Sequence, residues 1–163
     1  MKKALTLAFI MATATSLSAC GFALRGTAPD AQISATHAHT AIILADDQAL
    51  LTLKQPLIKH LQALAITHQA DSANQIKIEQ LNLRRYELVG TLTEVRLVLS
   101  ANVSYTLGGK TVHSPVQVEQ SYQYNEASVS TLDQQGEKTK VWLYDHLAER
   151  IAEQYYAKAK QGF

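Results

Sequence analysis

A single cysteine, Cys20, carries the most specific chemistry in the sequence. It follows the tripeptide Leu-Ser-Ala, and the chain before it has two lysines and then an apolar run over residues 4–12. A short positive segment, an apolar core and small residues before a cut are typical of a secretory signal peptide. The tetrapeptide that ends in Cys20 matches the bacterial lipobox, in which the thiol takes a diacylglyceryl group and the new N-terminus is acylated. We therefore predict that residues 1–19 are removed and that Cys20 carries the lipid anchor.

The alternative is an ordinary signal peptide with an incidental cysteine at its cut site, which would leave a reactive exported thiol. Two or three acyl chains anchor a protein stably where one does not. The residue after Cys20 is Gly21 rather than an aspartate, which is the sorting pattern of lipoproteins in the outer membrane of Gram-negative bacteria. Because Pro29 and a polar run follow, we expect residues 20–40 to form the lipidated N-terminus and a tether.

Cationic side chains are the next candidates for chemistry. Arg84 and Arg85 form a doublet, and Lys110 follows a pair of glycines. Guanidinium groups fork onto phosphates with two parallel hydrogen bonds, so the doublet is the best candidate for an anion site. A solvated pair of loop residues is the commoner explanation of such a doublet. The formal charge of +1 becomes −1 once Lys2 and Lys3 are removed, so any anion site must be local, and we expect no nucleic-acid binding.

No arrangement typical of an enzyme is visible in the sequence. There is no glycine-rich phosphate loop, no nucleophile elbow and no pair of cysteines. His37 and His39 would share one face of a strand, but without a third ligand at matching spacing they are ordinary polar residues. Asp46 and Asp47 could be paired carboxylates, yet adjacent acids before a helix more often favour its positive end. We expect no catalysis, no metal and no cofactor except the acyl groups on Cys20.

Three elements are predicted in the first half of the mature chain. An apolar run over residues 41–44 predicts a short strand. Leucines at helical spacing predict a helix from about Leu53 to Ile66, with Thr52 as its cap, Gln55 completing a capping box and Pro56 in its first turn. Apolar residues at 76 and 78 and then at 81 and 83 change phase, which predicts a bulge or a strand end near Glu79.

The longest alternating stretch runs from Val95 to Leu107. Its odd positions are all apolar, while its even positions mainly carry small hydroxyls and an amide, with one arginine. Successive side chains of a strand point to opposite faces, so the odd positions predict one buried face. The even face is either the polar back of an ordinary sheet or a surface covered by a partner or a polar lumen. Its candidate partner contacts are Ser100, Asn102 and Ser104.

Gly108 and Gly109 predict a tight hairpin, after which apolar residues fall on even positions up to residue 124. Pro115 cannot donate a ladder hydrogen bond, so this second strand is predicted to be an edge or to carry a break. We expect a polar loop over residues 125–136 and then a long amphipathic helix over about 137–160. The predicted apolar stripe of that helix consists of Val141, Tyr144, Ala148, Ile151, Ala152 and Tyr155.

The predicted element order is β-α-β-β-β-α. We therefore predict an α+β fold, in which two helices pack on one face of a mixed four-stranded sheet. Residues 41–163 are expected to form this single domain. No apolar run of the mature chain is long enough for a transmembrane helix.

Trp142 is the only tryptophan of the chain. On a helical projection it falls among Asp145, Glu149 and Glu153, away from the predicted stripe. A large aromatic side chain on a charged face is typical of an interface hot spot, so we predict that Trp142 contacts a partner. The alternative is that Trp142 folds over the preceding loop near Val129.

Several segments resemble one family, in the same order along the chain. They are residues 20–26, the segment 90–105 with Glu94 and the run 98–103, and the helix segment 144–149. With the element order, they are similar to LptE, the family of lipopolysaccharide-assembly lipoproteins that sit inside the barrel of LptD in the outer membrane. The resemblance implies a plug that helps to fold and gate the barrel and that touches lipopolysaccharide without catalysis. It would also account for the uncharged even face of the long strand.

Two positions depart from the family pattern. Some members carry a basic residue just before the last helix, where the match falls on Leu132, and an arginine near the first hairpin turn, where it falls on Leu88. We carry no lipid-binding residue over from the family and expect nearby cations to substitute. The predicted lipopolysaccharide site consists of Arg84, Arg85, Lys110, Lys138 and Lys140.

A second interpretation is a structural adaptor lipoprotein that docks on another envelope complex and binds no lipid. A third, a lipid-modifying hydrolase, has no catalytic constellation to support it. The stoichiometric partner in membranes separates the first two, because a large barrel protein favours the plug, whereas a soluble or inner-membrane partner favours the adaptor.

Overall fold

The computed structural model describes residues 33–90, 93–124 and 129–161. Within these ranges, five strands and two long helices follow a short 3-10 turn, Ala35–His37. The strands are β1 (His39–Leu44), β2 (Thr67–His68), β3 (Gln75–Leu88), β4 (Thr93–Leu107) and β5 (Lys110–Tyr124), and the helices are α1 (Gln48–Ala63) and α2 (Val129–Lys160). No helix in the described part of the chain is long and apolar enough to cross a membrane.

The strands form one mixed sheet in the order β2-β1-β3-β4-β5. β1 pairs in parallel with β2 and β3, and the remaining pairs are antiparallel. The α+β prediction is confirmed, with one strand more than expected. The additional strand, β2, has only two residues and is held to β1 by backbone bonds such as Thr67 N–H to the Ala38 carbonyl at 2.8 Å.

α1 begins five residues earlier than predicted. The side chain of Asp47, not Thr52, caps it by accepting a hydrogen bond from the backbone N–H of Ala49 at 2.8 Å. Pro56 therefore lies inside the helix rather than in its first turn. It leaves the carbonyl of Thr52 without a helical donor, but Thr52 is exposed, so water can reach that carbonyl.

Both helices cover the same face of the sheet, which we call the covered face. All odd positions of β4 from Val95 to Leu107 are buried there, as their alternation predicted. The register shift between Ile78 and Gln80 confirms the predicted bulge in β3. The helix side chains buried against this face are Leu50, Leu53, Leu57 and Leu61 of α1 and Leu143, Leu147, Ala148, Ile151, Ala152, Tyr155 and Ala159 of α2.

α2 differs from its prediction at its first half. It begins at Val129, so the described part of the expected polar loop, residues 129–136, is helical. Val141 is 71% exposed and does not belong to the buried stripe. Leu143 makes the contact with the sheet at this level, and two residues along a helix are about 160° apart, so Val141 points away from it.

Gly136 occupies the interior of α2, where glycine normally weakens a helix. A Cβ atom at this position would lie 3.0 Å from the hydroxyl oxygen of Tyr122, on β5. The absence of a side chain therefore allows the first half of α2 to approach the sheet closely.

The β4–β5 hairpin closes as predicted. Gly108 and Gly109 have φ values of 55° and 82°, both in the left-handed region that a two-residue hairpin turn requires. β5 is the outer strand of the sheet, which confirms one of the two positions expected for Pro115.

Candidate functional site

The face of β3, β4 and β5 opposite the helices is mainly polar, and no element of the described chain covers it. We call it the open face. Its centre is formed by Asn102, which the register places beside Gln80 of β3 and Pro115 of β5, and by Ser100, beside Asn82 and Gln117.

Short polar side chains on this face bond to one another across the strands. Asn102 Nδ2 donates to Gln80 Oε1 at 3.0 Å. Ser104 Oγ lies 2.8 Å from Nδ1 of His113, and the hydroxyls of Thr106 and Thr111 lie 2.9 Å apart. These cross-strand bonds hold the side chains in place and give the open face fixed donors and acceptors.

The charges on the open face are mostly neutralised in pairs. Arg96 forms an ion pair with Glu119 of the neighbouring strand, and the hydrogen bond between them raises the pKa of Arg96. Lys77 lies 2.6 Å from Glu79, and their hydrogen bond lowers the pKa of that carboxyl group. Arg84 is exposed and is not paired with a carboxylate in the described ranges. Around Ser100 and Asn102 the open face is thus a nearly neutral surface of amides and hydroxyls, while Tyr86 and Leu88 expose apolar surface at one end of it.

The predicted partner contacts lie on two opposite sides of the domain. Ser100 is half-buried, Asn102 is exposed, and Ser104 is buried beside His113 on the open face. Trp142 lies on α2, the helix that packs on the other face of the sheet. A single flat partner surface could not contact all four residues.

Trp142 is 44% exposed and stacks on the ring of His146, with the centroids 4.7 Å apart. Val129, its alternative contact, lies in the same helix and is roughly 20 Å away along the axis. Val129 is therefore part of the helix and is not beside Trp142. With the exposed Val141 it forms an apolar patch on the outer side of α2.

Arg84 and Arg85 do not form one patch. Both lie inside β3 rather than beside a turn, and consecutive strand residues point to opposite faces. Arg84 pairs with Val98 in the open-face register, whereas Arg85 pairs with Leu97, whose side chain is buried on the covered face.

Arg85 instead meets Lys140 at a pocket between α2 and the sheet, which we call the α2 pocket. It has a volume of about 230 Å³. Its lining consists of Leu83, Arg85, Leu97, Tyr122, Gly136, Glu137 and Lys140. Two cations at the rim and apolar side chains inside could hold an anionic group that is attached to an apolar chain.

Each rim cation of the α2 pocket has an acidic partner. Lys140 Nζ lies 2.6 Å from Glu137 Oε1, and Arg85 Nε donates to Glu87 Oε1 at 2.7 Å. An anionic ligand would therefore have to replace the carboxylates as acceptors. All four charged side chains are partly exposed, so this exchange costs little desolvation.

The other two predicted cations lie elsewhere. Lys110 is at the hairpin end of β5. Its partner in β4, Leu107, is nine residues from Val98, the partner of Arg84, so the two cations are about 30 Å apart. Lys138 is an exposed residue of α2, outside the pocket lining. The structure therefore brings together only Arg85 and Lys140 of the five.

Sequence reasoning missed the other pocket residues, above all Tyr122, Glu137 and Leu97. Tyr122 and Leu97 were expected only as core residues. The spacing of Glu137 and Lys140 was a usable signal, because residues three apart on a helix are neighbours. Arg85 lines the same pocket only because α2 packs on the sheet, and no local sequence pattern predicts that contact.

No group of three or more potential metal ligands occurs within the described ranges. Cys20, and with it the predicted lipid anchor, lies outside the described residues.

No family model matches the chain, and no curated protein is significantly similar to it. Solved structures of lipoproteins are similar in fold. A minor lipoprotein from Acinetobacter baumannii is 26% identical over 75% of this chain and 92% of its own, with a TM-score of 0.65. The rare lipoprotein B from Shewanella oneidensis is 15% identical over 74% of this chain and 95% of its own, with a TM-score of 0.60. The chain thus has a fold found in bacterial lipoproteins.

Proposed function

We propose that this chain is an outer-membrane lipoprotein that plugs and helps to assemble a β-barrel of the LptD type and takes part in lipopolysaccharide insertion at the cell surface. The observation that carries the proposal is the open face, an uncovered and nearly neutral surface on three long strands, whose centre consists of amides and hydroxyls. A protein enclosed by a polar lumen needs such a surface, because unpaired charges would be costly where water is restricted.

The second support is that candidate contacts lie on opposite sides of the domain. A partner that surrounds the domain can contact the open face and Trp142 together. The lipoprotein fold of the similar structures and the lipobox at Cys20 agree with an anchor in the envelope.

The anchor is tested by the intact mass of the membrane-extracted protein. We expect acyl additions on an N-terminal Cys20. A Cys20→Ser variant should be released from the membrane or keep its signal peptide. An unmodified chain that begins elsewhere would end this part of the proposal.

The partner is tested by purifying the tagged chain from outer membranes. We expect a large barrel protein in equal amount, and we expect Ser100→Arg to reduce it because an added charge on the open face would be buried at the lumen wall. Ser100→Ala, which leaves the open face uncharged, is the matched control. A soluble or inner-membrane partner would instead favour an adaptor lipoprotein.

For lipopolysaccharide, the α2 pocket is the proposed contact, with Arg85 and Lys140 binding phosphate. A charge-assisted hydrogen bond contributes about 1.5 to 3 kcal/mol, so Arg85→Ala with Lys140→Ala should weaken binding about tenfold or more. Arg84→Ala with Lys110→Ala removes the same charge outside the pocket and should have a smaller effect.

The binding measurement uses lipopolysaccharide at two ionic strengths, because screening weakens exposed cations. Circular dichroism checks that each variant is folded. Equal binding by the folded pocket variant and the parent at low salt would exclude the α2 pocket as the phosphate contact.

A further inference from the structure

β5 is a long edge strand, and its hairpin determines which backbone groups face outward. The turn at Gly108 and Gly109 is closed by Leu107 and Lys110, which therefore form a hydrogen-bonded pair. Hydrogen-bonded and non-bonded pairs alternate along an antiparallel ladder, and the β4–β5 register is continuous. Even residues of β5 thus bond to β4, while the N–H and C=O groups of its odd residues point away from the sheet.

The position of Pro115 agrees with this assignment of inward and outward backbone groups. It pairs with Asn102 at a non-bonded position, so its missing N–H belongs to the outward row and costs no ladder bond. A proline in that row also prevents another strand from pairing across it.

Beyond Pro115, the outward row continues without interruption over residues 117–123, which we call the outer edge. Its odd residues are all exposed. Among the described residues, the one side chain that reaches this row is that of Gln120, whose Nε2 lies 3.4 Å from the carbonyl oxygen of Ser121. Seven residues span about 24 Å, which is the length of an ordinary strand.

We propose that the outer edge binds an extended segment of the barrel partner, from outside its closed ladder of strands, by β-augmentation, so that the segment adds one strand to the sheet. This deepens the proposed function and rests on it. The added strand would have apolar side chains beside Val118 and Tyr122, next to α2, and polar side chains beside Gln117, Glu119 and Ser121 on the open face. Because both edges of every strand in a closed barrel are paired, the added strand would come from a loop or a terminus of the partner.

Other occupants fit less well. A second copy paired antiparallel about Gln120, the middle of the outer edge, would bring the two Glu119 side chains to diagonal positions on the open face, where like charges repel. The chain before Ile33 contains Pro29 and two glycines, which weaken a strand, and it leads into β1, three strands away from β5.

The test compares Ser121→Pro with Ser121→Ala in tagged full-length chain purified from membranes. Ser121→Pro removes one outward N–H and leaves the β4 ladder intact, whereas Ser121→Ala keeps that N–H. We expect the proline variant to retain about tenfold less barrel protein and the alanine variant to retain as much as the parent. Equal retention by two folded variants would overturn the inference.

The outcomes separate this inference from the proposed function. A parent chain that retains no partner overturns both. The chain could instead retain a partner of another class, which Ser121→Pro loses and Ser121→Ala keeps. That result overturns the barrel function but supports strand docking at the outer edge.

If Ser121→Pro does not fold, a photocrosslinking amino acid replaces it. Placed at Ser121, it should crosslink to one extended partner segment. Placed at Asn82, on the same open face two strands away, it should not reach that segment. Crosslinking of the same segment from both positions, or from neither, overturns strand docking.

Discussion

The two faces of β4 have opposite properties although they belong to one strand. Its odd residues from Val95 to Leu107 are at most 3% exposed and contact both helices through one core. Its even residues include Ser100 and Asn102, which form hydrogen bonds or face solvent and have no described element above them. The contrast indicates that the covered face determines stability, while the open face is available for contacts with another molecule.

The largest effect is expected from a cavity in the covered face. Leu99→Ala removes a fully buried side chain at the centre of β4. It should lower the free energy of unfolding by about 2 to 5 kcal/mol in chemical denaturation. Ser100→Ala, one residue further along, should change it by less than about 0.5 kcal/mol. Similar losses for the two variants would contradict the contrast between the faces.

The covered face was readable from the sequence because its signals are local. Alternation from Val95 to Leu107 gave the buried face, the phase change near Glu79 gave the bulge, and Gly108 with Gly109 gave the hairpin turn. Each signal depends only on the alternation of side chains along a strand or on glycines that allow a positive φ. Both can be recognised from neighbouring residues alone.

What the sequence did not reveal depends on tertiary contacts. β2 is too short to show a period, and its pairing with β1 consists of backbone hydrogen bonds and one contact between the His68 ring and the Thr40 carbonyl. The first turns of α2 lack an apolar stripe, so Gly136 looked like part of a loop. Arg84 and Arg85 lie on opposite faces because β3 continues through both residues, whereas the sequence suggested a turn beside them. Arg85 and Lys140 line one pocket only because α2 packs on the sheet.

A second effect on the covered face should appear at alkaline pH. The Tyr105 hydroxyl donates to Gln154 Oε1 at 3.2 Å, and burial raises the pKa of Tyr105 above its ordinary value of 10.0. The folded state therefore favours the neutral form, so this contribution to stability is complete below about pH 10 and is lost as the pH rises further. Tyr105→Phe should flatten the alkaline fall of the unfolding free energy.

The control for Tyr105 lies on the open face. Tyr86→Phe removes the hydroxyl of a half-exposed tyrosine and controls for the loss of a tyrosine hydroxyl as such. Burial raises the pKa of Tyr155 as well, so some alkaline loss remains in Tyr105→Phe. An unaltered alkaline profile in Tyr105→Phe would contradict the expected role of its buried hydroxyl.

A smaller effect on stability is expected at Gly136, where α2 lies close to Tyr122 of β5. Gly136→Ala improves helix propensity by up to about 1 kcal/mol, but the new methyl group would lie 3.0 Å from the Tyr122 hydroxyl oxygen. In a Tyr122→Phe background that oxygen is absent, so the same substitution should be more favourable by about 1 kcal/mol. A double-mutant cycle of unfolding free energies measures the difference. If the effects of the two substitutions were additive, α2 would be able to move away from Tyr122 without a cost in free energy, which would contradict the expected close contact.

The smallest effect on stability is expected on the open face itself. Asn102→Ala removes the hydrogen bond to Gln80, but both side chains are exposed, so water replaces the lost partner. The free energy of unfolding should change by less than about 0.5 kcal/mol. A loss above about 1 kcal/mol would show that the amide pair stabilises the isolated domain. A stable Asn102→Ala variant that nevertheless binds its barrel partner less well would show that the open face is kept polar for contact rather than for folding.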